Sequence, residues 1–230
     1  RPQRPPGREQ PRGVEQGSPT VEGAVVSTFL AHDLLWGMTP EQLPADAPSW
    51  VIESVSAGQP VVVRRALSEA NHIAVGVRGR LREQRYATSM AIEAIQRRVQ
   101  PEALCHVSID RDLPAVRALD QLRPLLDGCG WVWGVSGSAG FELASGFAAL
   151  HERSDLDLIL RTPQPLSRAR AQEMVNILDT AACRVDMQLQ TPLGAVALRE
   201  WASPARRVLL KNAHQACLVI DPWHSREQAA

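Results

Sequence analysis

Two aspartates alternate with leucines in residues 154–160, which read Ser-Asp-Leu-Asp-Leu-Ile-Leu. The apolar residues predict a buried strand, and successive side chains of a strand point to opposite faces. We therefore expect Asp155 and Asp157 on one face, with the leucines packed behind them. Two adjacent carboxylates repel each other and are costly against a core unless a cation neutralises them. A divalent metal, with Mg²⁺ as the first candidate, is the simplest ligand for such a pair.

A third carboxylate lies on the next predicted strand. Residues 184–190, Arg-Val-Asp-Met-Gln-Leu-Gln, alternate polar and apolar side chains around Asp186. Between the two strands, apolar residues recur at helical spacing, and Ser167 is a plausible N-cap for that helix. A strand, a helix and a second strand form a unit that can bring Asp186 beside Asp155 and Asp157.

A glycine-serine turn precedes the aspartates. The apolar residues 131–134 predict a strand that runs into Gly137 and Ser138, followed by a helix at about 139–144. Backbone N–H groups at the start of a helix attract phosphate. Gly137 lets the backbone approach closely, and the Ser138 hydroxyl can donate to a phosphate oxygen. The simpler alternative makes Asp155 a turn residue and Asp157 a lone edge charge, but the turn upstream favours a phosphate site.

This order of elements resembles the DNA polymerase beta-like nucleotidyltransferases. The match becomes more specific in segments that resemble the malonate decarboxylase holo-acyl-carrier-protein synthases, also called phosphoribosyl-dephospho-coenzyme A transferases. The segments are 137–146, 154–158, 184–188 and 209–211, with 32–36, 60–65 and 75–79 in the N-terminal half. The resemblance spans about residues 30–223, and sixteen residues separate Ser138 from Asp155, more than is usual in the superfamily.

The resemblance implies an α+β protein with a DNA polymerase beta-like nucleotidyltransferase core, a mixed sheet with helices, preceded by a small strand-rich α+β domain. The implied reaction moves the phosphoribosyl-dephospho-CoA group from 2'-(5''-triphosphoribosyl)-3'-dephospho-CoA to a serine of the apo acyl carrier protein subunit of malonate decarboxylase, releasing diphosphate. Asp155, Asp157 and Asp186 would be catalytic and hold Mg²⁺, with Asp186 either a metal ligand or the proton acceptor. Gly137 and Ser138 would hold the triphosphate.

Two other functions remain open. A nucleotidyltransferase that uses an ordinary nucleotide and a small hydroxyl acceptor would share the same core. A catalytically silent subunit that only binds the carrier protein is the second alternative. Paired strand aspartates argue against the silent subunit, because such a protein has no physical need for them.

Basic residues supply candidates for binding the anionic substrate. Six arginines lie between residues 64 and 85, and they form either a solvated basic face or a grip on substrate phosphates or an acidic carrier. Arg64 and Arg78 are preferred because each ends an apolar strand. Lys211 could reach the triphosphate, with a surface lysine at a helix end as the alternative. Glu142 could partner Ser138 or an arginine.

The amino-acid composition argues against several classes of function. The 25 basic and 25 acidic residues cancel, which argues against sequence-independent binding of nucleic acid. Four widely separated cysteines lack metal or redox spacing and predict reduced thiols in a cytoplasmic protein. No apolar run reaches the roughly 18 residues of a membrane span, and the first residues lack the apolar segment of a signal peptide. We expect a cytoplasmic protein.

The chain divides into three predicted regions. Residues 1–22, rich in Pro, Gly and charged groups, predict a disordered tail or, alternatively, a basic docking arm. Residues 23–113 predict an α+β domain that binds substrate or carrier, with strands at 50–55, 60–63, 73–77 and 105–109 and a helix at 88–99. Residues 114–230 predict the nucleotidyltransferase domain, which opens with a helix at 114–127 and closes with a buried strand at 216–220.

Overall fold

The computed structural model of the protein describes residues 29–225. Within this range the chain forms two β-sheets and five α-helices, which is an α+β fold. The predicted N-terminal tail, residues 1–22, lies outside the described residues. No helix between residues 29 and 225 combines the length and apolar character needed to cross a bilayer. Cysteines 105, 129, 183 and 217 are all unpaired.

The first sheet has five strands and is antiparallel throughout. Its strands are β1 (Leu34–Trp36), β2 (Val61–Val63), β3 (His72–Arg78), β4 (Arg85–Ala91) and β5 (Arg97–Val99), in the order β4-β3-β2-β1-β5. Helix α1 (Ser49–Ser56) packs against β3. Leu35, Val51, Val75 and Met90 are fully buried between the sheet and this helix. Long strands β3 and β4 thus form a hairpin whose tip carries the arginine-rich loop.

The structure corrects three predictions in this half. The predicted helix at 88–99 is wrong, because β4 pairs with β3 along its whole length, from Arg85 opposite Arg78 to Ala91 opposite His72. The predicted strand at 50–55 is helix α1, whose Val51, Ser54 and Val55 are buried at helical spacing. Residues 105–109 form no strand and follow a short 3₁₀ helix instead. The predictions at 60–63 and 73–77 are confirmed.

The second sheet is mixed and has six strands. They are β6 (Val132–Val135), β7 (Leu156–Arg161), β8 (Val185–Thr191), β9 (Gly194–Ala197), β10 (Val208–Lys211) and β11 (Ala216–Val219), in the order β11-β10-β9-β8-β7-β6. Only β7 and β8 are parallel among these pairs. Parallel neighbours need a crossover, and helix α4 (Arg168–Leu178) provides it. The predicted strand, helix, strand unit around the aspartates is therefore confirmed.

Three more helices cover this sheet: α2 (Pro114–Asp127), α3 (Gly137–Ser145) and α5 (Leu198–Ala202). The helix predicted at 114–127 is confirmed and continues through Pro124. The Ser167 side chain caps α4 by accepting the backbone N–H of Arg170 at 3.1 Å, as predicted. Strand β9 was not predicted. The closing strand β11 is correctly placed, but it is an exposed edge strand, with 61% of Leu218 accessible, because only β10 pairs with it.

Candidate active site

Strand β6 delivers the chain into a tight turn at the start of α3. The Ser136 N–H donates to the Asp157 carbonyl at 2.9 Å, which ties the turn to the neighbouring strand β7. Gly137 then begins α3 with a φ of +62°, a left-handed conformation that favours glycine. The Ser136 side chain makes no capping hydrogen bond to the helix. The first N–H groups of α3 are therefore available to an anion.

The Asp157 carboxylate lies directly against this turn. A Cβ added at Gly137 would lie 2.0 Å from Asp157 Oδ2 and 2.7 Å from its Cγ. A Cβ at these distances would force the Asp157 side chain or the turn to move, so this contact favours glycine, as the backbone conformation does. The structure thus brings together the predicted turn at Gly137 and the predicted carboxylate of Asp157, which are in van der Waals contact.

The three predicted aspartates line one cavity. Asp157 on β7 and Asp186 on β8 are directly opposite each other in the parallel register. Asp155 comes one residue before β7 begins, so it lies at the mouth of the strand and not within it. Burial raises the pKa of Asp157 to about 6, and the charges of Asp186 and Asp155 act in the same direction. Arg78 and Arg82 partly offset the rise in this pKa.

The donor set suits a divalent cation. Within residues 29–225, the Asp157 side chain accepts no hydrogen bond, while Asp186 is engaged by Arg184 Nε at 3.1 Å. The described residues contain no group of three His, Cys, Asp or Glu side chains arranged to hold a metal by themselves. Mg²⁺ commonly uses one or two carboxylates together with water and substrate phosphates. Asp155 and Asp157 therefore fit a cation whose remaining ligands come from the substrate.

Arg78 forms the opposite wall of the cavity. From the end of β3 its Nη2 donates to Ser138 Oγ at 2.5 Å and approaches the Ala149 carbonyl at 3.5 Å. Its guanidinium carbon lies 5.4 Å from the centre of the Phe141 ring. Burial lowers the pKa of Arg78 to about 10, so the group stays charged at neutral pH. Two predicted substrate-binding residues, Ser138 and Arg78, are therefore in direct contact across the two sheets.

The cavity has a volume of about 370 Å³ and lies between the two sheets. Besides Arg78, four arginines line it: Arg80, Arg82, Arg85 and Arg153. The first three belong to the arginine-rich segment noted in the sequence, where Arg64 and Arg78 were preferred. Arg153 was not predicted, although its position two residues before Asp155 was an available signal. The three aspartates thus face these arginines across the cavity, and this arrangement suits a metal-bound polyphosphate.

Glu142 organises the loop that connects α3 to β7. Its side chain is buried, and Oε2 accepts the backbone N–H groups of Ala149 and Leu150 at 2.7 Å each. Oε1 pairs with Arg111 Nη1 at 2.5 Å. Burial alone would raise the pKa of Glu142, but these hydrogen bonds lower it below its ordinary value. Of the two partners predicted for Glu142, the structure shows an arginine, and the long connection after Ser138 is held in place by this carboxylate.

We expect Glu142→Ala to lower the free energy of unfolding by about 3 kcal/mol, because it leaves buried N–H groups and an arginine without their acceptor. Denaturant unfolding measures this change. The matched control is Glu173→Ala, which removes an exposed partner of Arg170 on α4 and should cost about 0–1 kcal/mol. Equal losses in the two variants would show that Glu142 does not organise the loop.

Arg64 and Lys211 do not line the cavity of the aspartates. They line a second cavity of about 580 Å³, which shares His32 and Val62 with the first. Lys211 ends strand β10, so the alternative of a lysine at a helix end is wrong. His32 was not predicted as a site residue. Its Nε2 lies 3.2 Å from Gln188 Oε1, so it stands between the two cavities and joins the sheets.

Two family descriptions match most of the chain. "Phosphoribosyl-dephospho-CoA transferase MdcG N-terminal domain" matches residues 30–101, and the C-terminal domain of the same name matches residues 103–222. A phosphoribosyl-dephospho-CoA transferase of Pseudomonas fluorescens (strain Pf0-1) is 69% identical over 206 residues, covering 90% of this chain and 100% of the relative. Relatives of the same name from Pseudomonas syringae pv. tomato and Azotobacter vinelandii are 60% and 54% identical, covering 87% and 86% of this chain and 96% and 95% of theirs. No solved structure matches significantly.

Proposed function

Because this chain belongs to the phosphoribosyl-dephospho-CoA transferase family, we propose that it attaches the prosthetic group of malonate decarboxylase to its apo acyl carrier protein subunit. The donor is 2'-(5''-triphosphoribosyl)-3'-dephospho-CoA, and the acceptor is a serine hydroxyl. The observation that carries the chemistry is the contact between the Asp157 carboxylate and the first turn of α3. This contact puts carboxylates that suit a cation beside N–H groups that suit a phosphate.

In the proposed reaction the carrier serine attacks the phosphorus that is attached to the phosphoribosyl group. A new P–O bond forms, the bond to diphosphate breaks, and diphosphate leaves with the bonding electrons. The N–H groups of α3, the Ser138 hydroxyl and Arg78 hold the triphosphate in line for attack. The proton of the serine hydroxyl passes to Asp186, or to solvent in the alternative in which Asp186 would complete the metal site. Mg²⁺ on Asp155 and Asp157 would neutralise charge on the phosphates when bound.

We also propose the finer architecture. Residues 114–230 would form a nucleotidyltransferase core, because β6, the glycine-serine turn, α3 and β7 follow one another in that order and β8 supplies the third carboxylate. Residues 23–113 would bind the substrate or the carrier, because Arg78 reaches from β3 into the cavity. The arginines of the β3–β4 hairpin tip face the same cavity and would meet the phosphates from the side opposite to the aspartates.

Mass spectrometry of the carrier tests the proposal. Incubation of apo carrier with the protein, Mg²⁺ and the triphosphoribosyl donor should add the mass of one phosphoribosyl-dephospho-CoA group to one serine and release diphosphate. A nucleotidyl increment on a small hydroxyl acceptor, with ATP as the donor and no increment on the carrier, would favour the nucleotidyltransferase of small acceptors. Binding of apo carrier with no increment from either donor would favour the silent carrier-binding subunit.

A further inference from the structure

The second cavity has the chemistry of an anion site. Arg64, Arg65 and Lys211 contribute positive charges to its lining, and the described lining contains no aspartate or glutamate. Backbone and amide groups of the turn between β10 and β11 complete the wall: the Asn212 side chain accepts the N–H groups of His214 and Gln215 at 2.9 Å each. The turn is therefore fixed, and it holds one wall of the cavity in place beside the cations.

The part of the chain that the structure describes does not neutralise these cations. Within residues 29–225, neither Arg64 nor Lys211 forms an ion pair, and both are exposed at the cavity. Arg65 is held by a neutral group, since its Nη2 donates to Gln190 Oε1 at 2.7 Å. Three cations around one cavity repel each other, and an anion with two charges would relieve that repulsion.

The two cavities lie along one face of strand β8. Asp186 lines the first cavity and Gln188 lines the second, while Gln190 holds Arg65. Alternate residues of a strand share a face and are about 7 Å apart. His32 stands at the boundary, where it contacts Gln188 and lines both cavities. A ligand with two linked anionic groups can therefore reach both cavities along this strand.

We propose that the second cavity binds the diphosphate of the dephospho-CoA arm while the triphosphate of the same donor occupies the first cavity. This inference rests on the proposed function, because that donor carries both anionic groups, joined through two riboses. Arg64 and Lys211 grip the diphosphate, and Arg65 holds the wall behind it. The second cavity thereby selects a nucleoside diphosphate ester over a plain nucleoside triphosphate, which has no second anionic group to place there.

Lys211 allows a direct test, because it is the only lysine among the 230 residues. An amine-reactive acetylating reagent should modify this side chain, and peptide mass spectrometry measures the rate. Dephospho-CoA with its thiol blocked by alkylation, so that it cannot consume the acetylating reagent, is the probe, and it lacks the triphosphoribosyl group. At ten times its Kd it should slow Lys211 acetylation about tenfold, because about one site in eleven remains free. An unchanged acetylation rate at Lys211 in the presence of dephospho-CoA would overturn the inference.

Binding to variants provides the second measurement. Arg64→Ala and Lys211→Ala should each weaken dephospho-CoA binding about tenfold or more, the loss expected for a charge-assisted hydrogen bond. Arg117→Ala, which removes an exposed arginine paired with Asp112 on another face, is the control and should bind like the parent. Parental affinity in both cavity variants would overturn the inference. The proposed function is judged separately, by the mass increment that the parent protein adds to the carrier.

Discussion

The Asp157→Asn variant is expected to modify the carrier at least about a thousandfold more slowly than the parent while keeping the same fold. Asparagine has nearly the same shape, so it can keep its place against Gly137 and opposite Asp186. It cannot supply the negative charge that holds a cation against the triphosphate. The initial rate of the carrier mass increment measures the loss, and circular dichroism checks the fold. Asp155→Asn should act in the same direction.

The same substitution should stabilise the protein at high pH in a buffer without divalent metal. Burial raises the pKa of Asp157 from its ordinary 3.8 to about 6, so the folded state holds this proton more tightly than the unfolded state does. The parent therefore loses stability as the pH rises from about 4 to about 6, and the loss stays constant above pH 6. An uncharged amide has no such loss, so the Asp157→Asn variant should gain about 2 kcal/mol in free energy of unfolding at pH 8 and nothing near pH 3. Denaturant unfolding at the two pH values measures the gain.

Two results would contradict this account of Asp157. A folded double variant, with Asp155→Asn and Asp157→Asn, that still modified the carrier at near the parental rate would refute the catalytic assignment. If the difference in free energy of unfolding between Asp157→Asn and the parent did not depend on pH, the ionised Asp157 carboxylate would not be destabilised by its burial. Asp112→Asn, at an exposed aspartate, is the control and should change neither rate nor pH dependence.

The candidate site could be predicted because its signals are local. Alternation of polar and apolar residues fixes which face Asp157 and Asp186 share, and the helix between them makes the two strands parallel neighbours. The glycine-serine turn is likewise a short-range pattern. Its left-handed backbone and its close contact with Asp157 both occur at the single position Gly137. These features depend on a few residues each, and the structure assembles them as the sequence indicates.

The errors arise where distant pairing decides the structure. Ala91, Ile95 and Val99 have helical spacing, but residues 85–91 extend because β3 supplies a full set of hydrogen-bonding partners. The position of Lys211 likewise depends on pairing between distant segments, because it is set by the strand order. Strand β9 lies between β8 and β10, so Lys211 is carried away from Asp186 and towards the second cavity. Neither the pairing of β4 with β3 nor the position of β9 can be recognised from the local sequence of the segment that it affects.

Gly137→Ala is expected to reduce transfer at least about a hundredfold, because the added methyl group would occupy the place of the Asp157 carboxylate. A Cβ at position 137 would lie 2.0 Å from Asp157 Oδ2, so the carboxylate or the turn must move. Either movement separates the cation ligand from the N–H groups of α3. The left-handed backbone adds a cost of about 1 kcal/mol, so the free energy of unfolding should also fall. Transfer rate and denaturant unfolding measure the two effects.

The Gly146→Ala variant is a control that distinguishes the effect of the contact with Asp157 from the effect of a left-handed backbone. Gly146 ends the same helix with a φ of +75°, but an added Cβ there would meet no atom within 4 Å. This variant should therefore show only the backbone cost in stability and near-parental transfer. In an Asp157→Ala background, Gly137→Ala should cost less stability than in the parent, because the oxygen that the methyl group meets is gone. If Gly137→Ala and Gly146→Ala transferred at the same rate, the contact between the turn and the carboxylate would not be needed for the reaction.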